Sequence, residues 1–328
     1  MRCISRAKSA ALVCVASISL FTGGCIGGKG ATPVTAYELK NYNQDLYQGK
    51  LYAEELCVAQ NDVALEGYTE DIELHSAALF DLTGERVLYS YKAHERLYPA
   101  STTKIMTALL AIENANLDDQ VTISGNADAS SFPADAQVCG LAKGEVWTLR
   151  DLLGALLLYS GNDAATAIAE YVGGSEEAFV NMMNRRAQEL MANGTHFMNP
   201  HGLHDDNHYT TAYDLYLIFN ECIKHEDFVN IIQSEAYTAY YTDVDGNSQE
   251  ALFTPTNLYA QGEVDVPENV TIVGGKTGTT DEAGYCLILM EKDSSDNPYI
   301  SIVMGASEKP VLYEDMTSLI EAIPSGQQ

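Results

Sequence analysis

Ser101 and Lys104 stand three apart in the run Ser101-Thr102-Thr103-Lys104. On a helix, positions i and i+3 share a face, so the lysine amine reaches the serine hydroxyl. Ser101 then lies in the first turn, where backbone N–H groups point outward. A serine needs a base to become a nucleophile, and a neutral lysine supplies one. The same spacing also suits a helix cap followed by a solvated charge. A second cluster, Tyr159-Ser160-Gly161-Asn162, breaks two helices abruptly and projects two polar side chains from one tight turn, although Ser, Gly and Asn are common in ordinary connections. The third, Gly274-Gly275-Lys276-Thr277-Gly278-Thr279-Thr280, precedes an apolar strand. It puts a cation and hydroxyls beside a backbone that a ligand can approach closely. Each cluster is weak by itself. All three in this order, at a helix start, an interhelical turn and a strand, form a far more specific pattern.

The elements that must position these groups follow from periodicity. Ser76 to Asp81, the turn pair Thr83-Gly84 and Arg86 to Tyr91 read as a hairpin. Pro99 opens a helix over Ser101 to Ala115, with Ile105, Met106, Leu109, Leu110 and Ile112 at helical spacing. The middle of the chain is mostly helical: Leu149 to Leu158, Asp163 to Val172, a segment capped by Ser175 that runs to about Met191, and Thr211 to Ile223. An Asp245-Gly246 hairpin turn follows, then two apolar runs, Tyr285 to Met290 and Tyr299 to Met304, that read as adjacent antiparallel strands. A last amphipathic helix covers about Tyr313 to Ala322. The expected fold is α/β: an antiparallel sheet flanked by helices, joining the first hairpin to the last strands, with a helical lobe inserted between them and the cleft at their junction.

The three motifs resemble those of the penicillin-binding serine D,D-peptidases, whose signature is Ser-x-x-Lys, Ser-x-Asn and Lys-Thr-Gly. The closest likeness is to the low-molecular-mass D-alanyl-D-alanine carboxypeptidases, with a β-lactamase/transpeptidase-like fold. Tyr98-Pro99-Ala100, Asn199-Pro200-His201-Gly202-Leu203, Tyr209-Thr210-Thr211-Ala212 and Ala283-Gly284-Tyr285-Cys286-Leu287 extend it from about Glu73 to Ile323. The resemblance implies that Ser101 attacks the carbonyl between two D-alanines, that Lys104 takes its proton, and that Ser160 and Asn162 relay protons and hold the substrate backbone. It further implies that Lys276 adds positive field and that Thr277 and Thr279, flanking Gly278, grip the terminal carboxylate. The Ser101 and Thr279 N–H groups would form the oxyanion hole. The partners implied are a peptidoglycan stem peptide ending in D-Ala-D-Ala and β-lactams as acylating inhibitors, with no cofactor. Class A β-lactamases typically carry Asp where this chain has Gly161, and a deacylating Glu with no clear counterpart here. A β-lactamase and a penicillin-binding sensor without turnover are the alternative functions.

Composition bounds these readings. The 328 residues carry 46 acidic and 18 basic side chains, a formal charge of −28, which leaves no basic face for nucleic acid. Arg2, Arg6 and Lys8 precede an uncharged stretch that ends Gly23-Gly24-Cys25. It is too short to span a bilayer comfortably and reads as a signal peptide over residues 1–24. The small residues before Cys25 resemble a lipobox, which implies an exported protein held by a lipidated Cys25 on the outer face of the cytoplasmic membrane. Ordinary signal-peptidase cleavage would instead give a free secreted protein. Residues 25–74 are polar and read as a tether with a reach on the order of 40 Å, the peptidase domain as 75–323, and 324–328 as a tail. The acylated Cys25 would replace the C-terminal anchor helix that carboxypeptidases of this kind often carry. Cys57, Cys139, Cys222 and Cys286 permit three disulfide pairings or free thiols. His196, His201, His204 and His208 cluster around Asp205 and Asp206, but Pro200 and Gly202 prevent the continuous helix that a zinc-peptidase signature needs. No metal site is expected, and the stretch reads as a loop shaping the cleft wall.

Overall fold

Ser76–Asp81 (β1) and Arg86–Tyr91 (β2) form the expected hairpin in the computed structural model, which describes residues 55–65 and 76–324. The signal segment, Cys25 and most of the tether lie outside the described residues. β1 then pairs along its whole length with Pro298–Ala306 (β9), which pairs with Gly284–Asp293 (β8), which pairs with Val270–Thr280 (β7). All neighbours run antiparallel, in the order β2-β1-β9-β8-β7. The two apolar runs are thus adjacent strands, as their composition predicts. β1 and nearly all of β8 and β9 are buried, because helices cover both faces of the sheet.

The chain between β2 and β7 supplies the inserted lobe. Its helices are Lys104–Asn114 (α1), Leu149–Gly154 (α2), Asn162–Gly173 (α3), Glu176–Glu189 (α4), Ala212–Cys222 (α5) and Glu226–Ile232 (α6). The side chains of Thr148, Ser175 and Thr211 accept N–H bonds from Asp151, Ala178 and Asp214, which sets the starts of α2, α4 and α5. Ile105, Met106 and Leu109 of α1 join Ile288, Ile300 and Ile302 of the sheet in the main core. On the opposite face, Leu312, Met316 and Leu319 pack on Leu287, Leu289 and Val303. They belong to the closing helix Lys309–Glu321 (α8), which starts four residues earlier than its periodicity suggests. A one-turn helix, Leu258–Gln261 (α7), precedes β7. Among the described residues no helix is long and apolar enough to cross a membrane.

Three local findings correct the sequence reading. Residues 55–65 are not loose tether: Cys57 is buried, its N–H donates to the Tyr216 hydroxyl at 2.9 Å, and Val63 bridges to Ser90. The lobe also carries a second antiparallel sheet that periodicity did not reveal, in the order β3-β4-β5-β6. Its strands are Gln120–Thr122 (β3), Val146–Thr148 (β4), Tyr237–Thr242 (β5) and Ser248–Phe253 (β6). Two of them are three residues long, too short for a period. The lone tryptophan, Trp147, stacks on Tyr241 at 4.2 Å between ring centres. Third, the apolar helix from Leu149 does not run smoothly to Leu158. After Gly154 it widens into a π-turn over Ala155–Tyr159, and the chain leaves it through Ser160 in the left-handed region, with φ 71°.

Candidate active site

The nucleophile motif sits at the helix start, but its first turn is tighter than an α-turn. Ala100–Thr103 form a 3₁₀ turn and the α-helix begins at Lys104. Lys104 Nζ still lies 2.8 Å from Ser101 Oγ. The same amine donates to Asn162 Oδ1 at 2.7 Å and to the His201 carbonyl at 2.6 Å. Those two oxygens only accept. A neutral amine therefore spends both its N–H groups on them, and its lone pair is left for the Ser101 hydroxyl proton. Lys104 is fully buried. Burial first, and the charge of Lys276 second, hold its pKa well below the ordinary lysine range.

Lys276 faces it from β7, also buried, and donates to Ser160 Oγ and to the Thr277 carbonyl, each at 2.9 Å. Burial brings its pKa down to about 7. The Lys-Thr-Gly residues lie within β7 itself rather than before a strand, and β7 is the edge of the five-stranded sheet. Gly278 is where β7 meets the nucleophile turn: a Cβ there would approach the Ser101 and Thr102 nitrogens to 3.0 Å and the Pro99 oxygen to 2.9 Å. Gly161 is equally confined, since a Cβ would come within 2.1 Å of Cys139 Sγ and 2.8 Å of Asp163 Oδ1. The absence of a side chain between Ser160 and Asn162 thus has a steric cause.

Ser101, Ser160, Asn162, Thr277, Gly278 and Thr279 line one cleft of about 960 Å³. Every candidate site residue within the described region therefore converges on one place; Cys25 is not among the described residues. Sequence reasoning missed several lining groups. Thr256, whose hydroxyl bonds that of Thr277, precedes α7; Asp135, Ala136 and Gln137 form a wall; Lys309 reaches in from the start of α8. None carries a local pattern that would have marked it.

The histidines separate. Met198 N–H donates to His208 Nδ1 at 3.2 Å, so Nε2 holds the proton and donates to Thr103 Oγ1 at 2.8 Å. Burial lowers the pKa of His208 to about 4 and that of His201 to about 3, leaving both rings neutral. His196 bonds the Asn207 carbonyl, and His204 packs edge-on against Tyr98. Gly202, Leu203 and His204 line the cleft, so the stretch shapes its wall as the sequence suggests. The four cysteines Cys57, Cys139, Cys222 and Cys286 are free thiols.

Residues 62–308 match the sequence profile of the D-alanyl-D-alanine carboxypeptidases. The chain belongs to that family. It is 34% identical over 254 residues to the D-alanyl-D-alanine carboxypeptidase DacF of Bacillus subtilis, an alignment covering 76% of this chain and 61% of DacF. The chain thus spans about three fifths of the length of that relative. Its fold superimposes on the Streptomyces K15 DD-transpeptidase with a TM-score of 0.71 at 28% identity, over 78% of this chain and 98% of the other. Penicillin binding protein 5 from Haemophilus influenzae gives 0.68 at 27% identity, over 77% and 71%. The antiparallel sheet with its inserted helical lobe is therefore the DD-peptidase fold.

Proposed function

We propose that the protein is a serine D-alanyl-D-alanine carboxypeptidase that removes the terminal D-alanine of peptidoglycan stem peptides through an acyl-enzyme. The carrying observation is the Lys104 amine, buried and held by two acceptor-only oxygens with its third position on Ser101 Oγ. In this reading Lys104 takes the Ser101 proton as Oγ bonds the carbonyl carbon of the penultimate D-alanine. The Ser101 and Thr279 N–H groups hold the resulting oxyanion. Ser160, hydrogen-bonded to Lys276, passes a proton to the departing D-alanine nitrogen as the C–N bond breaks and takes in exchange the proton that Lys104 received from Ser101, so the amine is neutral again. Water then cleaves the ester and restores Ser101. Thr277 and Thr279 take the terminal carboxylate, Lys276 adds positive field, and Asn162 orients both Lys104 and the peptide. The open edge of β7 offers a place for an extended peptide to lie as an added strand.

The test is release of D-alanine from a pentapeptide ending in D-Ala-D-Ala, together with labelling by a fluorescent penicillin. Wild type should do both and Ser101→Ala neither. Intact labelling of Ser101→Ala removes Ser101 as nucleophile, and rapid turnover of the penicillin with no D-alanine released favours a β-lactamase instead.

The address is a separate part of the proposal. Residues 1–24 act as a signal peptide and Cys25 is acylated, which supplies the two chains that stable anchoring needs. Cys25→Ser should move the protein from the membrane fraction to the medium or soluble periplasm without changing the activity of the purified domain. A fatty-acid label that fails to enter wild type excludes lipidation.

A further inference from the structure

Asp163 follows Asn162 directly and is fully buried, yet nothing in the proposed chemistry uses it. Its carboxylate oxygens accept four backbone N–H groups. Oδ1 takes those of Cys139 and Ala164, each at 2.9 Å. Oδ2 takes those of Gly140 at 2.9 Å and Leu141 at 3.0 Å. Three of the four donors belong to the segment that continues from Asp135, Ala136 and Gln137, the wall of the cleft. The same segment is stitched to the Ser160 turn twice more: Asn162 N–H donates to the Gln137 carbonyl at 2.8 Å, and Gln137 Nε2 donates to the Tyr159 carbonyl at 3.3 Å.

We propose that Asp163 is a positioning residue that fixes the 135–141 wall to the turn carrying Ser160 and Asn162, and supplies a buried negative charge facing Lys104. The groups that face Lys104 are Lys276 from β7, Cys139 from the wall, Asp163 from α3, and the neutral His201 and His208 from the loop before α5. Among them the carboxylate of Asp163 is the anion. Burial first and Lys276 second lower the Lys104 pKa, and Cys139 and then Asp163 draw it back upward. An amide at this position cannot serve the site, because its NH₂ would meet two N–H donors with none to accept.

The pH arm of this proposal rests on the serine–lysine reading; the tie itself does not. Asp163→Asn should lower the rate of acylation by a fluorescent penicillin at least 10-fold at pH 7. It should also move the acid limb of the rate profile to lower pH, since removing a nearby anion favours the neutral amine. Asp293→Asn is the comparison. Asp293 accepts N–H bonds from Ser295 and Asn297 in the β8–β9 turn, so that variant should lose thermal stability while its profile stays in place. In the wild-type protein, hydrogen exchange should find the Cys139, Gly140 and Leu141 amides slowed at least 100-fold relative to unstructured peptide. Unprotected amides, or a limb that stays or moves upward in Asp163→Asn, overturn the proposal. The exchange measurement needs no active enzyme, so a wild type that takes no penicillin counts against the serine–lysine reading alone.

Discussion

Gly161→Ala is a steric probe of the cleft wall. The backbone at 161 has φ −62° and ψ 125°, which any residue adopts, so the substitution tests space and nothing else. The added Cβ would stand 2.1 Å from Cys139 Sγ, whereas contacts between such atoms settle near ~3.6 Å. The thiol, and the wall behind it, must yield by about 1.5 Å. Overpacking of this kind costs about 1–3 kcal/mol, which for a domain of this size lowers Tm by roughly 3–10 °C. The catalytic penalty is the larger effect. A misplacement of about 1 Å costs on the order of 10²-fold in rate, and the wall, Ser160 and Asn162 are all attached to this turn. The assay is the second-order rate of penicillin acylation, with thermal unfolding alongside. Cys139→Ala alone should leave the rate within about threefold of wild type. Combined with Gly161→Ala it should recover most of the lost rate, the residual being the 2.8 Å approach to Asp163 Oδ1. A wild-type rate in Gly161→Ala, or a double variant no faster than the single one, refutes the reasoning.

Three other outcomes follow from the geometry. Lys104→Ala should lose at least the ~10²-fold typical of a missing general base, and wild-type activity should survive exhaustive chelation; loss with EDTA and recovery with zinc would promote the histidine stretch. Acylation by wild type should rise with pH as Lys104 loses its proton, with the midpoint far below that of a free lysine, because burial and Lys276 both disfavour the charge; a limb near the ordinary lysine value would show that Lys104 is not the base. Glu291 is fully buried, and burial pushes its carboxyl well above the ordinary range against a smaller opposing pull from Ser301. The unfolded chain releases that proton near the ordinary carboxylate value and the folded one does not. Wild type should therefore lose about 1.4 kcal/mol per pH unit above that point. Glu291→Gln should flatten this dependence in thermal melts between pH 5 and 8, and an unchanged slope would place the titration elsewhere.

What could be read from the sequence was whatever a short window holds. The Ser101–Lys104 pair, the Ser160 turn and the Lys276 strand are each local, and their order along the chain already points to one cleft. The helices with a long period and a capping hydroxyl, such as the one that begins after Ser175, were equally legible. The second sheet was not, because the three-residue strands at Gln120 and Val146 are held by partners outside any local window, Gln120 by Thr148 and Val146 by Thr242. The π-turn before Ser160 left no mark either, since Leu156, Leu157 and Leu158 suit any helical winding. Thr256 and Asp135 are single polar residues in connections, and only the folded chain brings them to the cleft. Burial is the larger cause of the lowered Lys104 pKa, ahead of Lys276, and burial is a property of the whole domain.

The open edge of β7 has a consequence beyond catalysis. A strand with one unpaired side is a template onto which another chain can add, and proteins ordinarily blunt such edges to remain in solution. Here the Thr277–Thr280 end of that edge lines the cleft together with Asp135–Gln137 and Thr256. A strand joining it would sit about 4.8 Å away, so a chain must enter the cleft to reach that end of the edge. The walls therefore guard colloidal stability while they align a ligand, and a variant that loosens them should be expected to cloud in solution as well as to slow.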